Sequence, residues 1–540
     1  MNRDEFLENF CIQQLDCYLL DTIINDEDQS LNQSSLGLPL SQKIMQLSWF
    51  VFLFILVQQG LADENSPKIA VIGAGPSGIS AASKLLDNGF ENVIIIEAEN
   101  RIGGRVHTTQ FGNYVVDLGA QWVHGEVNNV VFNLAEPLGL LEHVSMEGKY
   151  RFLYDSSGIE MDPEISKSIL AFYQRFYDVP LNLSAWVNNT LGEFFNHEFE
   201  TYFAEHPEIN QTMKSEILYL TDLIQTSYDS SDSWDDVSIA GYWPDQCCEG
   251  DILINWKERG YGTILEILMK KIPDPTKELP VLNKTLLNTE VKKIDYTDQN
   301  GKITITTSDG KELIVDHVIF TPSLGVLKAN YETLFTPPLS NTKVNSIKGV
   351  QFGVAGKLFL SFDEPWWDTT GNTSGFLFLW SEQDKKELEA DPEKRWMLSL
   401  IGFGPVQYKP QLLLGWVSGK GMREMEKLPK ELVYNHTMGL LYKFLGKDYN
   451  ITEATDLIRS KWYSNPHFKG VYSYRSPETE KTGASAQELS EPIVINNIPR
   501  VMFAGEATNP ISYSTVHGAI ETGWREAERL INLYKNNKAL

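Results

Sequence analysis

The segment Lys68–Arg105, KIAVIGAGPSGISAASKLLDNGFENVIIIEAENRIGGR, leaves the chain few choices of fold. Ile69–Ile72 is short, apolar and mostly β-branched, as a strand buried on both faces should be. It runs directly into Gly73-Ala74-Gly75-Pro76-Ser77-Gly78, which opens a helix to about Asn88. A second apolar strand, Val93–Ile96, ends in Glu97. The order strand, glycines, helix, strand, acid predicts a dinucleotide-binding βαβ unit. Gly73 makes the tight turn, Gly75 admits a pyrophosphate to the backbone, and Gly78 lets helix and strand pack closely. The helix N-terminus presents N–H groups and its positive dipole end to that pyrophosphate. Glu97 stands where a carboxylate accepts from ribose hydroxyls.

NAD and FAD both satisfy such a unit. The discriminating residues follow at once, in the pattern E-x3-R-x-G-G-R: Arg101, Gly103, Gly104 and Arg105. Adjacent glycines give a second close backbone approach, and two arginines suit a pyrophosphate. This stretch resembles the flavin-containing amine oxidases, in which the paired glycines and the second arginine hold FAD.

The resemblance continues in blocks to the C-terminus. Asp117-Leu118-Gly119-Ala120-Gln121-Trp122-Val123-His124-Gly125 matches the segment that runs beside the flavin, which makes Gln121 and Trp122 cofactor contacts. In the polyamine oxidase branch the W-[IV]-H-G histidine stands in the tunnel, so His124 is a candidate for handling substrate protons; the alternative is a buried structural histidine. The first strand of a β meander (Glu290–Tyr296, Lys302–Ser308, Glu312–Phe320, with Asn300-Gly301 and Asp309-Gly310 turns) covers the adenine end in the family, with Val291 as the backbone contact. Phe320–Leu327 resembles T-x-S-L-G-V-L.

Val354–Phe362 reads as a strand carrying one lysine, Lys357, among apolar residues. Such a lysine either snorkels at an edge or is buried with a lowered pKa. The match to G-K-[IVL]-x-[FL] followed by F-x-x-P-[FW]-W (Phe362–Trp367) implies the family's lysine that holds a water against flavin N5. The last FAD-binding piece begins near Trp462. Gly470–Tyr474 resembles G-S-Y-S-Y, with Tyr472 lining the substrate tunnel. Val471 stands where monoamine oxidases bond a cysteine to FAD, which implies non-covalent FAD. Phe503–Thr508 and Tyr513–Ala519 resemble F-A-G-E-A-T and Y-S-T-[TV]-H-G-A. There Glu506 would meet the ribityl chain, and the helix beginning near Thr515 and Val516 would point at the flavin carbonyls. Tyr513 and Thr515 would face substrate. The segment after F-A-G-E-A-T, Asn509–Ser512, departs from the family's more usual basic one.

The expected architecture is α/β: a Rossmann-like FAD-binding domain (66–129, 256–334, 461–535) interleaved with an α+β substrate domain (130–255, 335–460). Within the latter, Glu164–Asp178, His197–Glu205 and Thr212–Ile224 read as helices, and Gly262–Lys271 as a helix returning to the FAD domain. Acids after the third helix, Asp229 and Asp232, either attract ammonium groups or form a solvated loop. Ser233–Ser238 resembles the polyamine oxidase S-M-D-x-V-[AS] segment.

Over 540 residues the net charge is −26, which argues against nucleic acid and anionic membranes and is compatible with a cationic substrate. Cysteine is sparse: Cys11, Cys17, Cys247 and Cys248. Cys247-Cys248 lacks metal-ligand spacing and reads as structural or incidental, and no metal is expected. The apolar run Leu47–Val57, ahead of Gly60-Leu61-Ala62, is too short for a stable span and reads as a signal peptide, with residues 1–62 removed and Met45 the suspected start; the alternatives are a buried core strand and a short anchor. Sequons at Asn182, Asn188, Asn210, Asn283, Asn372, Asn435 and Asn450 agree with a secreted glycoprotein. The expected reaction is FAD-dependent oxidation of a small cationic amine, most simply a polyamine, with O2 as acceptor, giving H2O2 and an aldehyde. The competing readings are a secreted L-amino-acid oxidase, which needs a tunnel arginine, and a secreted protein that keeps FAD as structure and acts by binding.

Overall fold

The computed structural model describes residues 66–143, 150–178, 183–242, 248–371 and 373–537. The expected signal segment, Asn182, Asn372 and Cys247 lie outside them. Ile69–Ile72 pairs in parallel with Val93–Ile96 on one side and with His317–Phe320 on the other. Around them lies a six-stranded sheet in the order Ile493–Ile495, Ile498–Phe503, His317–Phe320, Ile69–Ile72, Val93–Ile96, Thr285–Leu286. Alternation along the strands feeds two cores. Ile69, Val71, Ile95 and Met502 enter one, packed with the helices Pro76–Asp87 and Val516–Asn537. Ala70, Ile72, Phe320 and Phe503 enter the other.

The expected third strand of the meander is two strands. Glu312–Val315 completes a four-stranded sheet with Phe335–Thr336, Val291–Asp295 and Ile303–Thr307, and His317–Phe320 joins the dinucleotide sheet. Asp316 is the corner: its carboxylate accepts from Lys68 N at 3.0 Å, and its own N–H donates to Lys68 O at 2.8 Å. The polar pair Asp316-His317, between the apolar runs Leu313–Val315 and Val318–Phe320, marks the break in the sequence. The expected helix to Lys271 also stops early, at Leu268, and Lys270 takes a left-handed φ of 61°.

A second six-stranded sheet runs in the order Asp456–Arg459, Ala355–Ser361, Lys409–Ser418, Leu400–Val406, Thr373–Leu379, Tyr150–Asp155. Against it pack the helices Pro163–Asp178, Leu191–Glu205 and Gln211–Asp229 through an aromatic core that includes Phe172, Phe195, Phe199 and Trp234. Ala355–Ser361 is an interior strand, hydrogen-bonded on both sides. Its residues Ala355 and Phe359 share a core with Phe111, Leu118, Leu414 and Trp462. Lys357 lies between them on the same face. No helix among the described residues is long and apolar enough to cross a membrane.

Candidate active site

One cavity of about 2670 Å³ runs from the dinucleotide turn to the second sheet. At its first end Gly73 turns with φ 98°, and Gly78 lies against it so closely that a Cβ there would fall 1.9 Å from the Gly73 carbonyl. Gly75 and Gly104 back onto each other, a Cβ on Gly104 lying 3.2 Å from Gly75 Cα. The Pro76–Asp87 helix has no side-chain cap, so its first-turn amides face the cavity. Glu97 is buried; its carboxylate accepts from Ala74 N (2.6 Å) and Glu99 N (2.8 Å), and burial raises its pKa despite both bonds. Val291 and its neighbours Thr289, Glu290 and Lys292 continue the wall beyond Glu97.

The two arginines part company. Arg101 donates to the carbonyls of Ile102 (3.2 Å) and Gly104 (2.8 Å), bracing the glycine turn. Arg105 reaches across the cavity to Glu506 (2.9 Å) and the Val471 carbonyl. Glu506 also accepts from Ser473 Oγ (2.7 Å) and Ser514 N (3.0 Å). Three distant stretches of chain are thus tied at one carboxylate. Uncapped amides, paired glycines, a buried carboxylate at the strand tip and a long continuous cleft fit FAD.

At the other end Lys357 is 2% exposed. Its ammonium donates to Asp117 O (2.9 Å), Gly119 O (2.7 Å) and Gln121 Oε1 (2.7 Å), and lies over the rings of Trp122 and Trp416. Trp416 is its cross-strand partner and stacks on Trp122. Burial pushes the lysine down to about 7, against the pull of Asp117. The edge-lysine alternative therefore does not describe it. Asp117, raised by burial, is held by Thr108 Oγ1 and Tyr261 N. Neither Asp117 nor Trp416 was expected as a site residue; the register that sets Trp416 opposite Lys357 belongs to the sheet and carries no local sequence signal.

His124 is accessible only through the cavity it lines. Its Nδ1 lies 2.6 Å from the Ile252 carbonyl, which can only accept, so Nδ1 carries the proton and Nε2 keeps its lone pair. Burial lowers its pKa. Tyr472 donates to Ser227 O (3.0 Å) and Tyr513 to Gly241 O (3.0 Å), and both residues line the cavity. Thr515 also lines it, but its hydroxyl donates to Ser512 O (2.7 Å) and accepts from Gly518 N (2.9 Å). The threonine therefore caps the helix that starts at Val516. Trp462 is buried and donates to Leu118 O at 3.2 Å.

The two acids left open above separate. Asp232 pairs with Arg423. Asp229, the last residue of Gln211–Asp229, lines the cavity. It accepts from Gln225 Nε2 (2.6 Å), itself buried and bonded to Tyr173 OH through its oxygen (2.9 Å). Burial pushes Asp229 up to about 7, and among the described residues no cationic side chain pairs with it. Among the described residues no group of three or more His, Cys, Asp or Glu side chains is placed to hold a metal ion.

The fold and cradle define a flavoprotein, and the comparisons agree. Residues 76–531 match the family model for flavin containing amine oxidoreductases, and the chain belongs to that family. It is 27% identical over 507 residues to the Bos taurus peroxisomal N(1)-acetyl-spermine/spermidine oxidase, covering 88% of this chain and 97% of that one. It is 28% identical over 549 residues to the probable polyamine oxidase 5 of Arabidopsis thaliana (87% and 99%). A Candida albicans corticosteroid-binding protein is 27% identical over 505 residues (88% and 98%). In fold the chain is similar to cyclohexylamine oxidase from Brevibacterium oxydans, with a TM-score of 0.60 at 18% identity, covering 87% of this chain and all of that one. The cofactor is FAD, and the class of chemistry is amine oxidation.

Proposed function

We propose that the protein oxidises a polyamine, with non-covalently bound FAD as electron acceptor and O2 as the terminal oxidant, releasing H2O2 and an aldehyde. The observation that carries the polyamine reading is Asp229: an oriented carboxyl without a cation partner, on the wall of the chamber that holds Lys357 and Tyr472. It seats an ammonium other than the one that reacts. Two of the matched relatives are named for acetylated spermine and spermidine or for polyamines.

FAD supplies the two-electron acceptor. The protein's own groups orient and deprotonate. The Tyr472 ring and the stacked pair Trp122–Trp416 wall the space for an alkyl chain. The free Nε2 of His124 takes the proton of the reacting ammonium, since only the neutral amine has the lone pair that drives hydride loss from its α-carbon. Lys357 fixes the Asp117–Gln121 backbone beside the flavin and places an amine of shifted proton affinity there.

Peroxide release measured over spermine, spermidine, their acetylated forms, monoamines and amino acids tests the reading. Polyamines should lead. Asp229→Asn should raise KM for spermine about 10-fold or more while leaving a monoamine near its wild-type value. Amino acids belong in the panel because Arg151 lines the same cavity. Its strand lies four positions from that of Lys357, roughly 19 Å at ~4.8 Å per strand, too far to clamp the carboxylate of an amino acid reacting at Lys357. Yellow protein that oxidises no amine and binds a steroid would favour the binding-protein reading that the Candida relative's name raises.

We also propose a secretory route. The five sequon asparagines that fall within the described residues, Asn188, Asn210, Asn283, Asn435 and Asn450, are all exposed. Expressed in animal cells, the protein should appear in the medium and lose mass on glycosidase treatment. Retention in the cytosol with no such loss rejects this.

A further inference from the structure

Cys248 is the thiol at the chamber wall that amine oxidation leaves unused. It stands on a strap fastened to the His124 segment by Gly125 N to Asp251 O (2.8 Å), Glu126 N to Glu249 O (2.7 Å) and the mutual pairing of Val123 with Ile254 (3.0 and 3.2 Å). These bonds fix the thiol in place beside His124. Its Sγ lies 3.7 Å from Nε2 of His517, within reach of a sulfur hydrogen bond. His517 is 5% exposed and sits in the first turn of the Val516–Asn537 helix. Cys248, His517, His124 and Lys357 line the same cavity. A nucleophile, a proton acceptor and the place where peroxide would form therefore share one enclosed space.

We propose that Cys248 is a peroxide-modified residue of the chamber, oxidised to a sulfenic acid with His517 as its base, so that turnover limits itself. The source of the peroxide rests on the amine-oxidase reading above; the modification site does not. The step balances. The Cys248 proton passes to His517 Nε2, and the thiolate attacks one oxygen of H2O2. The O–O bond breaks as the S–O bond forms, so that sulfur loses two electrons and peroxide gains them. The departing hydroxide takes the proton back from His517 and leaves as water. Burial holds His517 down at about 4, so its imidazole is neutral and can accept the Cys248 proton. So weak a base makes the reaction with dilute peroxide slow and dependent on the high local concentration that turnover creates. The added oxygen occupies space beside His124, which obstructs substrate.

The holoenzyme in a Cys247→Ser background is treated with added H2O2 and no amine, in the presence of dimedone, and the peptide ending at Lys257 is read by fragment masses. A dimedone adduct on Cys248 is expected, forming about 10-fold or more slowly in His517→Asn or His517→Gln, whichever folds by thermal melt. During spermine turnover, activity relative to its own initial rate should decay and return with a thiol reductant. In Cys248→Ser the reductant-reversible decay should be absent. No adduct on Cys248, an adduct of equal rate without the imidazole, or the same reversible decay in Cys248→Ser overturns the proposal. A protein that oxidises no amine yet forms the His517-dependent adduct with added peroxide would reject the polyamine reading and keep the site.

Discussion

Lys357 shows how much one side chain is asked to do. Its three donors are spent on two backbone carbonyls and Gln121, so it is a structural clasp as well as a candidate for chemistry. Lys357→Met keeps length and removes the charge, leaving two buried carbonyls unpartnered at about 1–3 kcal/mol each, so a lowered Tm is expected. The variant that survives as holoenzyme separates the roles. If the ammonium acts at the flavin, anaerobic reduction or aerobic reoxidation slows ~10²-fold or more in stopped flow, a barrier rise of about 2.7 kcal/mol. Wild-type rates in both half-reactions would leave it a clasp only. Asp229 makes a pH-dependent prediction. Its carboxyl holds a proton more tightly folded (about 7) than at its ordinary 3.8. The cost of ionising it in place is therefore absent at low pH, grows as pH rises between those values, and is complete above the higher one. The Tm of Asp229→Asn minus that of the wild type should rise from pH 5 to pH 8. KM for a dicationic amine should fall over the same window in the wild type and stay flat in the variant. A Tm difference that does not move with pH would mean a solvated carboxyl.

The elements that place these residues are short, and their packing tolerates little. Gly78 lies in the first turn of the helix that must leave the Gly73 turn at contact distance, and backbone, not a flexible side chain, meets an added Cβ first. Gly78→Ala should cost 1–3 kcal/mol or more and strip FAD, read as the flavin-to-protein absorbance ratio and the Tm. Gly439, on the exposed face of Lys430–Leu445, has nothing near its would-be Cβ. There Ala should stabilise by about 0.5–1 kcal/mol and leave flavin content unchanged. Equal outcomes at the two glycines would show that close approach is not what Gly78 serves.

In the whole molecule the chain crosses repeatedly between the two sheets, and the cavity is assembled from those returns. Arg105, Ser473 and Ser514, from distant stretches of chain, converge on the Glu506 carboxylate, and Arg105 also reaches the Val471 carbonyl. If FAD is held by these contacts alone, as proposed above, unfolding should free it. Acid precipitation should leave all flavin in the supernatant. Flavin in the pellet would reveal an attachment at a residue other than Val471.

What the sequence determined by itself was local: the βαβ unit, the glycines, Glu97, and the strand bearing Lys357. Continuous apolar runs, glycine chemistry and an acid at a strand tip are all encoded within some forty residues, so no distant partner is needed to read them. Family blocks extended that reading to Glu506 and Val516. Tertiary structure alone decided which of two similar acids faces the chamber. Asp229 ends a helix whose last turn meets Gln225, whereas Asp232, three residues on, has Arg423 for a neighbour. It decided that Lys357 is interior, because strand order and not composition says what lies on either side. It also brought Cys248 to His517 across 269 residues of chain. Burial and proximity are properties of the packed molecule, and they set the proton affinities on which the chemistry turns.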